Sequence, residues 1–164
     1  MIVGVVSDTH HGDKTKYVPP ILFERFEGEG VDLILHAGDV TSKELFNRLG
    51  KVAPLIVVRG NADHLLFPEE EIINIEGLKV GMVHGHQFLG LNAQMLSYKA
   101  LEMGVDILIF GHTHRYFYED RIFHGKRIIL LNPGSPTFPR MGSASFALME
   151  ISGANVKVEQ IKVW

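Results

Sequence analysis

Short apolar runs, each closed by a glycine or a polar residue, divide this chain into alternating elements. Met1–Val6 is a β-branched run and predicts a buried strand. Tyr17–Gly28 carries apolar residues at 18, 21, 22 and 26, a helical spacing, opened by Pro19-Pro20 and closed by glycine. Val31–His36 predicts a second buried strand. Ser42–Gly50 predicts a helix capped by Ser42, with Leu45, Phe46 and Leu49 inward and Gly50 as its stop. Pro54–Val58 predicts a third strand. This β-α-β-α-β order implies a parallel sheet.

The second half changes character. Glu71–Glu76 and Lys79–His84 predict two strands joined at Gly77 as a hairpin. Asn92–Met103 predicts a helix with Ala93, Leu96, Ala100 and Leu101 on one side. Val105–Phe110 is another buried run. Tyr116–Phe123, Arg127–Leu131, Ala144–Ile151 and Val156–Ile161 complete the strands. The expected class is α/β, with two sheets packed face to face and helices outside. No linker, repeat or low-complexity segment interrupts the 164 residues, so one domain over 1–164 is expected.

Five of the apolar runs end in residues able to bind a ligand. VGVVSDTH places Asp8 and His10 after the first strand, LILHAGD places Asp39 after the second, and LIVVRGN places Asn61 after the third. VGMVHGH places His84 at a later strand end, and ILIFGHTH places His112 and His114 after another. In open α/β sheets the carboxyl ends of the strands border one crevice, so these residues are expected to converge. Gly38, Gly60 and Gly111 precede three of them and let the backbone turn closely into the site.

Composition narrows the chemistry. The chain has no cysteine, which excludes disulfides and thiolate sites and leaves His, Asp, Glu and Asn as metal ligands. Two carboxylates, four imidazoles and one amide exceed the roughly four ligands of one zinc-like ion. They suit two divalent ions sharing a carboxylate. Sulfur-free N/O ligation fits Mn²⁺, Fe²⁺, Zn²⁺, Co²⁺ or Ni²⁺. The net charge of −3 and pI near 6.3 offer no basic groove, so no nucleic-acid polymer is expected as partner. MIVGVVSDTH lacks the basic start and apolar length of a signal peptide, and no apolar run nears the roughly 18 residues of a membrane span. A soluble, cytoplasmic protein with no membrane partner is expected.

The ordered set D8-x-H10, G38-D39, G60-N61, H84 and G111-H112-x-H114 resembles the signature of calcineurin-like metallophosphoesterases. With the GNxD form at Gly60–Asp63, VHGH at Val83–His86 and NPGS at Asn132–Ser135, it is similar to the small YfcE-type bacterial and archaeal phosphodiesterases. The resemblance implies a four-layer α/β/β/α sandwich of two mixed sheets flanked by helices. It assigns Asp8, His10, Asp39 and His114 to one metal, and Asp39, Asn61, His84 and His112 to the other, with Asp39 bridging. It favours Mn²⁺, and it implies hydrolysis of a small organic or nucleotide phosphodiester by attack of a metal-bridging hydroxide on phosphorus. Asn61 would also position the phosphate. A homo-oligomer is compatible with the family.

One position departs from the pattern. Many members read GNH[DE], and that histidine can serve the leaving group; here Ala62 stands in its place. A diester is therefore expected over a monoester. His64 and His86 are the candidates for the missing acid, each against a structural role. His36 reads as a group orienting a ligand or as a satisfied buried imidazole. Asp63 reads as a turn residue, Arg140 as a phosphate contact or a surface arginine, and His11 and His124 as surface. The same fold also serves as a non-catalytic scaffold of the Vps29 type, with a degraded metal site. All seven ligand positions are filled here, which favours the enzyme.

Overall fold

The computed structural model describes residues 1–164. Two five-stranded mixed sheets pack face to face, with helices on both outer faces. The first sheet joins β1 (Ile2–Val6), β2 (Leu33–His36) and β3 (Leu55–Val57) in parallel. β9 (Ser145–Ser152) and β10 (Asn155–Lys162) extend it antiparallel on the β1 side. The second sheet runs β4 (Glu70–Ile75), β5 (Leu78–Val83), β6 (Ile107–Ile109), β8 (Lys126–Pro133) and β7 (Tyr116–Phe123). Its central strands β5, β6 and β8 are parallel, and its edges pair antiparallel.

Side-chain alternation explains the layering. Val3, Val5, Leu33 and Leu35 of the first sheet meet Val80, Met82, Ile107, Ile109, Ile129 and Leu131 of the second in the inner core. The alternate positions point outward. Val6, Ile34 and Phe146 pack under α1 (Pro20–Gly28) and α2 (Lys43–Val52), which contribute Leu22, Phe26, Leu45 and Leu49. Leu108, Ile128 and Leu130 pack under α3 (Ala93–Met103) through Leu96 and Ala100. Central strands covered on both faces read as continuous apolar runs, as parallel strands do. Each fully buried Leu, Ile, Val or Phe contributes about 1.5–3 kcal/mol.

The caps agree with the sequence except at one glycine. The Ser42 side chain accepts the Leu45 N–H at 3.0 Å, and Asn92 accepts that of Met95 at 2.8 Å. α3 ends on Gly104 at φ 69°. Gly50, expected to stop α2, lies inside it, and the helix runs on to Val52. Val52 packs on the apolar cluster beneath the helix, and that contact carries the helix past the glycine.

Candidate metal centre

The carboxyl ends of β1, β2 and β3 and of β5 and β6 meet at one edge of the sandwich, bringing together the expected ligands. Asp8 and His10 follow β1, Asp39 follows β2, and Asn61 follows β3. His84 follows β5, and His112 and His114 follow β6. Asp8, His10, Asp39, His84 and His114 are all almost fully buried, while Asn61 is exposed and His112 half-buried.

The ligand turns are conformationally unusual. Asp8, His10, Asp39, His112 and His114 all have positive φ, between 46° and 71°. That region costs an L-residue roughly 1–2 kcal/mol, and Asp and His are among the side chains that tolerate it best. Hydrogen bonds across the turns offset the cost. Asp8 N–H donates to Gly38 O and His10 N–H to Asp39 O, both at 2.9 Å. His112 N–H donates to Asp8 Oδ2 at 3.0 Å, and Gly111 N–H to His84 O at 3.0 Å.

Two glycines make room for the carboxylates. A Cβ at Gly60 would strike the Asp39 side chain, and one at Gly111 would strike Ser7 Oγ and Asp8 Oδ2. Neither glycine has a positive φ, so the requirement is space rather than backbone freedom.

Proton placement decides what the cluster can hold. His10 Nδ1 lies 3.0 Å from the Asp13 carboxylate, His114 Nδ1 lies 2.6 Å from Phe138 O, and His84 Nδ1 lies 2.7 Å from Ala37 O. Each partner only accepts, so each neutral ring carries its proton on Nδ1. The three Nε2 lone pairs then point inward. His10 Nε2 and His114 Nε2 are 3.3 Å apart. His84 Nε2 is 3.1 Å from Asn61 Oδ1. Asp39 Oδ2 lies 3.3 Å from His10 Nε2 and 3.2 Å from His84 Nε2. Asp8 Oδ1 is buried with no hydrogen-bond partner, 3.4 Å from His114 Nε2. Asp8, His10, Asp39 and His114 each offer a donor atom within 4.8 Å of all the others. Lone pairs facing lone pairs in a buried site call for positive charge at its centre, and this donor set suits a divalent cation.

The acid–base balance agrees. Burial pushes His10 down, but the Asp39 and Asp13 carboxylates outweigh it and leave the ring more basic than usual. Burial also acts against His84, yet its bond to Asp39 and the Asp8 charge raise it. Burial works against ionising Asp39, but His10 and His84 hold its carboxyl far below the usual carboxylate range. The shifts of His10 and His84 both show that the carboxylates of the cluster favour positive charge at its centre. His112 and His114 are lowered, chiefly by burial.

Several residues named in the sequence take supporting roles that the sequence did not show. Asp63 is more than a turn residue: its carboxylate accepts the N–H groups of Asp39 and Gly60, each at 2.8 Å, and of Thr41 at 2.9 Å. The NPGS stretch stitches the ligand turns together. Asn132 Nδ2 donates to Gly111 O at 3.1 Å, and Ser135 Oγ donates to Asp8 O at 2.8 Å. His36 is the satisfied imidazole: Nδ1 accepts Gly38 N–H at 3.1 Å, so Nε2–H faces Thr9 Oγ1 at 3.0 Å. Burial lowers it to about 3. His11, expected at the surface, is buried, with Nδ1 at 2.7 Å from Ser42 Oγ, because the turn after β1 folds under the start of α2. His124 is exposed. His86 joins the cluster, its ring 5.4 Å from that of His84 and 6.4 Å from that of His112, whereas His64 is exposed.

Residues 1–154 match the calcineurin-like phosphoesterase superfamily domain. The chain belongs to that superfamily. This phosphoesterase-fold chain is 39% identical over 165 residues to a probable metallophosphoesterase of Methanothermobacter thermautotrophicus, covering 99% of this chain and 92% of the relative. It is 44% identical over 141 residues to a probable metallophosphoesterase of Methanocaldococcus jannaschii, covering 85% and 70%. Among solved structures it is similar to zinc-complexed Vps29 of Entamoeba histolytica, at 29% identity and TM-score 0.84 over 99% of both chains. An archaeal phosphodiesterase shares the fold at TM-score 0.74 and 22% identity, over 98% of this chain and all of that one. The four-layer sandwich, the superfamily and a buried Asp/His cluster suited to a divalent metal are thereby established.

Proposed function

We propose that the protein is a divalent-metal-dependent phosphodiesterase acting on a small organic or nucleotide diester. The observation that carries this reading is the ring of inward lone pairs around the unpartnered Asp8 Oδ1. Asp8, His10, Asp39 and His114 would hold one ion, and Asp39, Asn61, His84 and His112 a second, with Asp39 common to both. When bound, such ions would neutralise phosphate charge and lower the pKa of water towards neutral. The chain's own contribution is to fix the donors. Asp13, Phe138 O and Ala37 O set the tautomers of His10, His114 and His84, as outer partners do at metal sites. Ala62 offers only its backbone N–H, which donates to Asp39 Oδ1 at 2.8 Å. That position supplies no side-chain acid to a leaving oxygen, and the diester preference follows the resemblance to phosphodiesterases that lack this histidine.

A second reading, a Vps29-like protein-interaction scaffold that keeps a metal site, draws on the likeness to the zinc-complexed Vps29 structure. One experiment separates the two. The protein is stripped with chelator, then given Mn²⁺, Ni²⁺, Zn²⁺ or Mg²⁺ separately, and assayed on bis-p-nitrophenyl phosphate beside p-nitrophenyl phosphate. Metal-dependent turnover favouring the diester is expected. No turnover with any ion, despite bound metal, would shift the reading to the scaffold.

A further inference from the structure

The arginines divide into two groups. Arg25, Arg59, Arg121 and Arg127 each pair with a carboxylate, and Arg48 lies over the Phe23 ring at 4.5 Å. Arg115 and Arg140 have neither, in a chain of net charge −3, and both border the His112–His114 turn. Arg140 is the better placed. It ends a strap, Ser135–Arg140, pinned across the ligand turns. Ser135 Oγ donates to Asp8 O at 2.8 Å, and Thr137 Oγ1 to Thr9 O at 2.7 Å. His114 Nδ1–H donates to Phe138 O at 2.6 Å, and Arg140 Nη1 donates to His112 O at 3.3 Å. That last bond engages one of the five guanidinium N–H groups of this exposed residue, and the others have no protein acceptor.

A cation held beside a site that already calls for cations is unfavourable on its own. The arrangement becomes favourable once an anion sits between the guanidinium and the metal ligands. We propose that Arg140 is the phosphate-holding residue of this site, its guanidinium donating to non-bridging oxygens of the phosphoryl group. This rests on the phosphodiesterase reading. The planar fork suits that role, since it matches two oxygens of one phosphate.

The test uses the full chain loaded with Mn²⁺, as wild type, Arg140→Ala and Arg140→Lys. Inorganic phosphate is titrated calorimetrically, bound metal is counted, and KM and kcat are measured on bis-p-nitrophenyl phosphate. In Arg140→Ala, phosphate affinity is expected to fall about tenfold or more with metal content unchanged, and KM to rise more than kcat falls. Arg140→Lys is expected to recover part of the affinity, keeping the charge but not the fork. Unchanged phosphate affinity in Arg140→Ala overturns the proposal. So does a parallel loss of metal, which would make Arg140 a prop for the His112 turn. If the wild type turns over no diester, the phosphodiesterase reading fails on its own, and the phosphate titration still decides the role of Arg140.

Discussion

The Asp63 carboxylate holds the backbone N–H of Asp39 at 2.8 Å, from the turn that follows the next strand. Through the same side chain it also holds Gly60 and Thr41. It coordinates nothing itself, yet it fixes the turn from which Asp39 points inward. Asp63→Ala is expected to lower stability by about 2–4 kcal/mol, as the loss of charge-assisted bonds does. Bound metal should drop with every ligand still present. Urea denaturation and metal analysis check both, and wild-type metal content in a destabilised Asp63→Ala would refute the positioning role.

Gly60→Ala and Gly111→Ala test the space around the carboxylates. Each adds a methyl where Asp39 or Asp8 already sits. Overpacking of this kind costs about 1–3 kcal/mol. The expected result is a folded protein with weakened metal binding, read by circular dichroism and metal titration. Tight metal binding in both variants would mean that the carboxylates have slack the structure does not show.

The proposed sharing of Asp39 between two ions predicts unequal effects within the ligand set. Asp39→Asn should depress binding of both proposed ions and abolish turnover. His112→Ala should depress only the second ion and leave the Asp8, His10 and His114 set able to bind one. Metal stoichiometry by mass spectrometry distinguishes them. Full metal content and activity in Asp39→Asn would sink the two-ion arrangement.

The histidine shifts fix a pH dependence with a definite sign. His10 and His84 are raised, so the stability they contribute is present below the unfolded value, about 6.5, and is lost as pH rises through their folded values. His36, His86, His112 and His114 are lowered, so their effect lies below about 6.5, where stability falls as pH falls. Above that value the raised pair dominates the histidine contribution. Chelator-treated protein is therefore expected to lose stability as pH rises above about 6.5, by at most about 1.4 kcal/mol per pH unit for each group. A divalent ion competes with the same protons, so the gain in Tm on adding Zn²⁺ should grow with pH. A gain that is flat or shrinks with pH would count against these two imidazoles as ligands.

Much of this was legible because burial on both faces leaves a plain trace. Runs such as Val31–His36 and Val105–Phe110 could only be interior strands, and the polar residue ending each marked the edge where they converge. Ser42 announced its helix through cap chemistry. The division of ligands into two sets came from the family resemblance, since spacing alone does not tell which side of Asp39 a histidine occupies. Asp63 escaped because its partners are backbone N–H groups, which leave no mark in the sequence. His11 escaped because its burial depends on how the turn after β1 meets α2, a contact made only in three dimensions. Gly50 misled because a glycine stops a helix only where no packing draws the chain onward, and Val52 supplies that packing.

The candidate ligands are drawn from both halves of the sandwich. Asp8, His10, Asp39 and Asn61 hang from the first sheet, and His84, His112 and His114 from the second. Elsewhere the two inner faces adhere through apolar side chains, which slide and part without directional preference. An ion seated among these donors would act as a rivet through the open seam. To peel one sheet from the other, the chain would first have to give up the metal. Loading should therefore lengthen the lifetime of the folded state, and chelation should let the sandwich open from this edge.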